Sequence, residues 1–157
     1  MKEMLKICDL HIHSKFSGGA SKNIDIFKIA LNCKVKGINI VGTGDCLHPL
    51  WISELNNNLI ECSDGVFFTP KVPDVYFILQ SEIETIWNND SNVKKVHFIL
   101  LFPSFEKVEE SIKYLSKFGN IANEGRPKIY ISAEKLIFGL KSIDKDIEII
   151  ENKIISH

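Results

Sequence analysis

"INIVGTGDCLHP", Ile38 to Pro49, decides how the chain is read. It opens as a short apolar run of the kind that forms a buried strand, and it leaves that run through Gly42 and Gly44, which permit a tight backbone exit. Asp45 and His48 follow at once, and Pro49 starts the next element. Upstream lies a helical pattern with Phe27, Ala30, Leu31 and Val35 at helical spacing, capped by Asn23 and closed by Gly37. Before that comes a first apolar run, Leu5 to Leu10. A strand, a helix and a second strand in that order form one βα unit of a parallel sheet.

The alternation continues. Further strands are expected at Val75 to Leu79, Val96 to Phe102 and Ile147 to Ile155. Ser104 caps a helix with Phe105, Val108, Ile112 and Leu115 on one face, ended by Gly119, and a third helix runs from Ser132 to about Lys141. Asn56 to Pro73, punctuated by Asn, Asp, Gly and Pro, reads as loop. Consecutive apolar positions suit strands covered on both faces. The fold class is therefore α/β, with about five βα units.

The chain has 157 residues, enough for one domain with a real core, and 45% of them are hydrophobic. A formal net charge of −1, with Arg126 the only arginine, argues against broad electrostatic steering to nucleic acid. No apolar stretch has the roughly 18 residues of a membrane span, and the N-terminus lacks a signal-peptide pattern, so the expected location is cytoplasmic. Cys8, Cys33, Cys46 and Cys62 fall at irregular spacings without a Cys-x-x-Cys pair, which suggests reduced thiols.

In parallel α/β proteins, functional side chains gather where strands end. His11 and His13 follow the first strand, Asp45 and His48 the second, Glu82 the third and His157 the last, while His97 leads its strand. His11 and His13, two apart on an extended segment, point to one side and can grip one ion or two neighbouring ions. All five histidines of the chain fall in this set. Asp45 can instead cap a following helix, and Cys46 reads as a small buried filler. Glu82 and Glu84 share a face; Glu84 either supports the site from behind or faces solvent. Asp9 either orients an imidazole or makes a strand-end hydrogen bond. Mixed imidazole and carboxylate donors without thiolates suit zinc, manganese or iron(II), and such clusters activate water for attack on a phosphoester. Arg126 is either a phosphate ligand or part of a surface ion pair, and Trp51 is core cover rather than a stacking platform.

The stretches "DLHIHSKFS", "GTGD" with "LHP", "SEIE", "KVHFILLFP" and "IISH", in this order, resemble the successive motifs of the PHP (polymerase and histidinol phosphatase) metallophosphoesterases. The resemblance implies a distorted (β/α)7 TIM-like barrel, here partial, with metal ligation by His11, His13, Asp45 or His48, Glu82, His97 and His157, and with Glu82 as bridging carboxylate. It implies two or three divalent ions in a complete site. The spaced "GDCLHPLW" and "NIANEGRPKI" look like the endonuclease Q branch, whose members nick DNA beside deaminated bases. On this reading residues 1–157 form a single PHP-like domain that lacks the family's last strands and its late Asp-x-His motif. The implied function is metal-dependent phosphodiester hydrolysis in damaged DNA, with Asp45, Glu82 and Arg126 at the catalytic centre. The alternatives are a metal-binding or regulatory module without turnover and a small-molecule phosphomonoesterase. Self-association through open sheet edges is expected.

Overall fold

A computed structural model of the protein describes residues 4–156. Eight strands and four helices alternate: β1 (Cys8–Asp9), α1 (Ile26–Lys36), β2 (Ile40–Gly42), α2 (Pro49–Asn58), β3 (Ile60–Ser63), β4 (Val66–Thr69), β5 (Val72–Asn89), β6 (Asn92–Phe102), α3 (Phe105–Leu115), β7 (Lys128–Ile129), α4 (Ala133–Ile143) and β8 (Glu148–Ser156).

The long strand β5 organises the sheet. Its first half pairs with β2 in parallel and β4 antiparallel, its second half with β6 antiparallel and β7 in parallel. β1 lies beside β2 in parallel, β3 extends β4, and β8 extends β6, both antiparallel. The sheet is mixed and stays open, consistent with part of a barrel. The expectation of an all-parallel sheet is thus corrected for the second half of the chain. "NNDSN" is the cause: a two-residue turn at Asp90 and Ser91, with Asp90 at φ 53, folds β6 straight back on β5 with Asn89 opposite Asn92. No helix intervenes there. The segment 56–73 is likewise not a loop, because Asp64 and Gly65 (φ 70) make the tight connection of a hairpin between β3 and β4.

Helix caps follow the sequence with small shifts. Asp25, rather than Asn23, caps α1 by accepting the Lys28 N–H at 2.8 Å, and Gly37 ends it at φ 75. The face of α1 that enters the core is Ile26, Ile29, Ala30 and Cys33, spaced i, i+3, i+4, i+7, which leaves Leu31 and Val35 in solvent. Ser104 and Ser132 cap α3 and α4 as expected, but α3 ends at Leu115, before Gly119.

The core forms where these helices cover one face of the sheet. Val41, Phe77, Leu79, Ile83 and Leu100 meet Ala30, Leu55, Val108 and Leu136 there. β5 is buried on both faces from Leu79 to Thr85: odd positions enter the core, while Gln80, Glu82 and Glu84 share the other face. No helix among the described residues is long and apolar enough to cross a membrane.

Candidate metal centre

The site forms where β1 and β2 end beside the middle of β5. Chain leaving β1 carries His11 and His13 over Glu82. The Nε2 atoms of His11 and His13 lie 3.2 and 3.0 Å from the same Glu82 oxygen, Oε2. Gln80, two residues earlier on the same face, fixes that approach: its Oε1 accepts the N–H groups of Ile12 (3.2 Å) and Gly44 (3.1 Å), tying both strand exits to β5. Gly44 sits at φ 65 against the backbone of Ile12 and His13, where a Cβ would be crowded.

Asp45, wholly buried and itself at φ 43, turns back toward the His11–Ser17 segment. Its Oδ1 stands 3.1 Å from His13 Nδ1, and its Oδ2 accepts from the Ser14 N–H and hydroxyl, each at 2.6 Å, and from the Ser17 hydroxyl at 3.0 Å. Asp45 therefore does not cap α2. The residue at that cap is His48, which makes no side-chain capping bond.

A second imidazole repeats the arrangement. His97 is directly opposite Glu84 in the β5–β6 ladder; its Nε2 meets Glu84 Oε2 at 2.7 Å and its Nδ1 meets Glu82 Oε1 at 3.2 Å. The antiparallel turn explains why a histidine that seemed to lead its strand still reaches the site: β6 begins at Asn92, so His97 lies mid-strand at the level of Glu84. Glu84 is buried behind His97, not in solvent. Glu82 thus receives two imidazoles on Oε2 and one on Oε1, and Asn152 Nδ2 adds a contact to Oε1 at 3.3 Å.

These contacts set the charges. Hydrogen bonds with Asp45 and then Glu82 raise His13 to about 9, against the opposing effect of burial. Burial disfavours ionisation of Glu82, yet the His13 and His11 contacts hold it down at about 2. Asp45 is also lowered: burial is outweighed by His13 and Ser14. A positive charge is wanted between Asp45 and Glu82, and without a metal a proton on His13 supplies it.

The donor chemistry fits a metal ion. Tetrahedral donors about 2.1 Å from an ion lie about 3.4 Å from each other, and the ligand atoms of His11, His13 and Glu82 all fall within 4.8 Å of one another. These three residues can hold a divalent ion. Asp45 on the far nitrogen of His13 and Glu84 on the far nitrogen of His97 are the carboxylate partners that fix ring orientation in metal sites.

The proteins that this chain resembles are long ones. The uncharacterized protein MJ0043 of Methanocaldococcus jannaschii is 39% identical over 135 residues, a match to 85% of this chain and 14% of that one. No protein-family model matches the chain. The crystal structure of the lesion-specific endonuclease PfuEndoQ from Pyrococcus furiosus superposes with a TM-score of 0.78 and 35% identity over 93% of this chain. A complex of endonuclease Q with a 27-mer duplex substrate carrying an abasic lesion at the active site gives 0.76 and 36% over 90%. The likeness is to endonuclease Q. It bears out the resemblance read from the motifs, and the chain spans about a third of the length of the two endonuclease Q structures, 34% and 33%.

The stretch that carried the endonuclease Q resemblance, residues 120–129, closes over the site from the β7 side. The Gly125 N–H donates to the Phe16 carbonyl at 3.1 Å, and Gly125 sits so close to Asp45 and Ser17 that a Cβ would collide with both. Arg126 and Glu124 then line a cavity of about 160 Å³ with His13, Ser17 and Gly18. The charge of Arg126 helps to keep Glu82 ionised.

Among the described residues, the side chains of His48, Asp9, Cys46 and Trp51 are not among those that contact Glu82. His48 stacks on Phe16 (centroids 4.1 Å apart) with its Nδ1 buried and unpartnered, and burial lowers its pKa. His157 lies outside the described residues. The Asp9 carboxylate accepts the His11 backbone N–H at 3.2 Å, the strand-end bond. Cys46 and Trp51 are fully buried, the latter donating to the Gly44 carbonyl at 2.7 Å. Gln80, Ser14 and Ser17 were not singled out in the sequence, although the spacing Gln80, Glu82, Glu84 already put all three on one strand face.

Proposed function

We propose that the protein is a divalent-metal-dependent phosphodiesterase of the endonuclease Q type, acting on damaged DNA, and that its open sheet is part of a PHP-type barrel. The convergence of His11 Nε2 and His13 Nε2 on one oxygen of Glu82, in a chain similar to endonuclease Q over nine tenths of its length, carries this reading. One neighbour is bound to a duplex with an abasic lesion, which makes a deaminated or abasic site in duplex DNA the substrate class to test.

His11, His13 and Glu82 would hold one ion, and Glu82 Oε1 with His97 would face a second; His157 and His48 belong to the same proposed ligand set. Zinc, manganese and iron(II) all suit these donors. When bound, such ions supply an activated water and neutralise phosphate charge for in-line displacement. The chain's own residues do the rest. Asp45 and Glu84 fix the two imidazoles, Gln80 fixes the loop that carries His11 and His13, and Arg126 offers its planar fork to phosphate oxygens in the adjoining cavity.

The test is nicking of a duplex carrying a single uracil, hypoxanthine or abasic site, with Mn²⁺ or Zn²⁺ added, beside an undamaged control. Nicking at the lesion that chelation abolishes, and that His11→Ala and His13→Ala each reduce at least a hundredfold, is the expected result. Lesion nicking unaffected by either substitution would contradict the assignment.

A further inference from the structure

The ladder between β6 and β8 is not regular. Lys153 pairs with His97 and Glu151 with Phe98, so Asn152 is an extra residue with no partner of its own: a β-bulge beside the candidate site. Bulges re-aim side chains, and this one turns the Asn152 amide to Glu82, Nδ2 to Oε1 at 3.3 Å. Glu82 lies on β5, which is separated from β8 by the whole of β6. A side chain from a strand two places away reaches it because the bulge lifts residue 152 out of the ladder.

We propose that Asn152 is a positioning residue for Glu82, and that the bulge exists to deliver it. A carboxylate that must present one oxygen to His11 and His13 and the other to His97 cannot be left free to rotate about its terminal torsion. The two imidazoles on Oε2 constrain one edge. On the other edge His97 alone faces Oε1, and it is shared with Glu84 at the shorter distance of 2.7 Å. The amide of Asn152 supplies a second donor on Oε1, so that each oxygen of Glu82 is held by two groups. A neutral donor does this without adding charge to a site that already contains Asp45, Glu82 and Glu84. The proposal rests on the reading of Glu82 as a metal ligand, and metal binding tests it apart from turnover.

Titration with Mn²⁺, with free ion counted by electron paramagnetic resonance, gives the readout on the full chain. Asn152→Ala should weaken Mn²⁺ binding about tenfold, in line with the loss of an outer hydrogen-bond partner of a metal ligand. Asn152→Gln, which keeps the amide on a longer arm, should recover part of it. Glu151→Ala, at the neighbouring position that pairs with Phe98, should leave binding unchanged while sharing any general effect of loosening β8 on the thermal midpoint. Equal Mn²⁺ affinity in wild type and Asn152→Ala overturns the proposal, as does an equal loss in Glu151→Ala. Failure of the wild-type protein to bind Mn²⁺ overturns the reading of Glu82 itself, a different and distinguishable result.

Discussion

Asp45 stands behind His13: its Oδ1 is 3.1 Å from the ring nitrogen that faces away from Glu82, while the other ring nitrogen lies 3.0 Å from Glu82. One imidazole is thereby held between two buried carboxylates, and its orientation depends on Asp45, the one behind the ring. Asp45→Asn keeps the shape but removes the charge and turns an NH₂ toward donors, so metal affinity should fall between about 10- and 100-fold. Asp45→Ala leaves the Ser14 N–H and hydroxyl without their acceptor and should cost about 1–3 kcal/mol in chemical unfolding.

The same contacts predict how metal-free stability varies with pH. His13 is raised to about 9 from 6.5, so its contribution is complete below pH 6.5 and disappears as pH rises through 9. Glu82 is lowered from 4.5 to about 2, so its contribution is complete above pH 4.5 and disappears as pH falls through 2. Thermal midpoints of the chelator-treated protein should therefore be highest between about pH 4.5 and 6.5 and decline on both sides. A midpoint still rising from pH 7 to 9 contradicts the pairing of His13 with Asp45 and Glu82.

Metal binding must displace the His13 proton, because only the neutral imidazole is a ligand. With His13 at about 9, binding at pH 7 should release close to one proton from this residue. Calorimetric titrations in buffers of different ionisation enthalpy measure it. Zero release at pH 7 would place the ion away from His13.

Gly125→Ala tests the closing of the 120–129 stretch over the site. The new methyl meets the Asp45 carboxylate and the Ser17 hydroxyl, and both are fixed by other bonds. The segment must back away, at a cost of about 1–3 kcal/mol, and Arg126 should move with it. Lesion nicking should fall by more than the stability loss explains. Normal nicking in a Gly125→Ala protein of wild-type stability would show that the contact is slack.

Much of this was legible beforehand because it depends on local chemistry. His11 and His13 follow a strand at period two, and that alone puts both rings on one side. Ser104, Ser132 and Gly37 mark helix ends through their own hydrogen bonds or backbone angle. What the sequence hid was pairing. Parallel and antiparallel neighbours leave similar apolar runs, so only the turn at Asp90 and Ser91 reverses β6 and brings His97 opposite Glu84. Asn152 was hidden for the same reason: an extra residue in a ladder exists only relative to its partner strand. Asp45 was legible as functional, but its attachment to the back of His13 depends on its left-handed backbone at φ 43, which no residue type announces.

A cation shared by His11, His13 and Glu82 would be located by anomalous diffraction from a crystal soaked in Mn²⁺. A peak is expected about 2.0–2.2 Å from His11 Nε2, His13 Nε2 and Glu82 Oε2, with Asp45 still on the far side of the His13 ring. Saturating Mn²⁺ that leaves this point empty, with both imidazoles in place and the ion bound elsewhere or nowhere, would contradict the shared site.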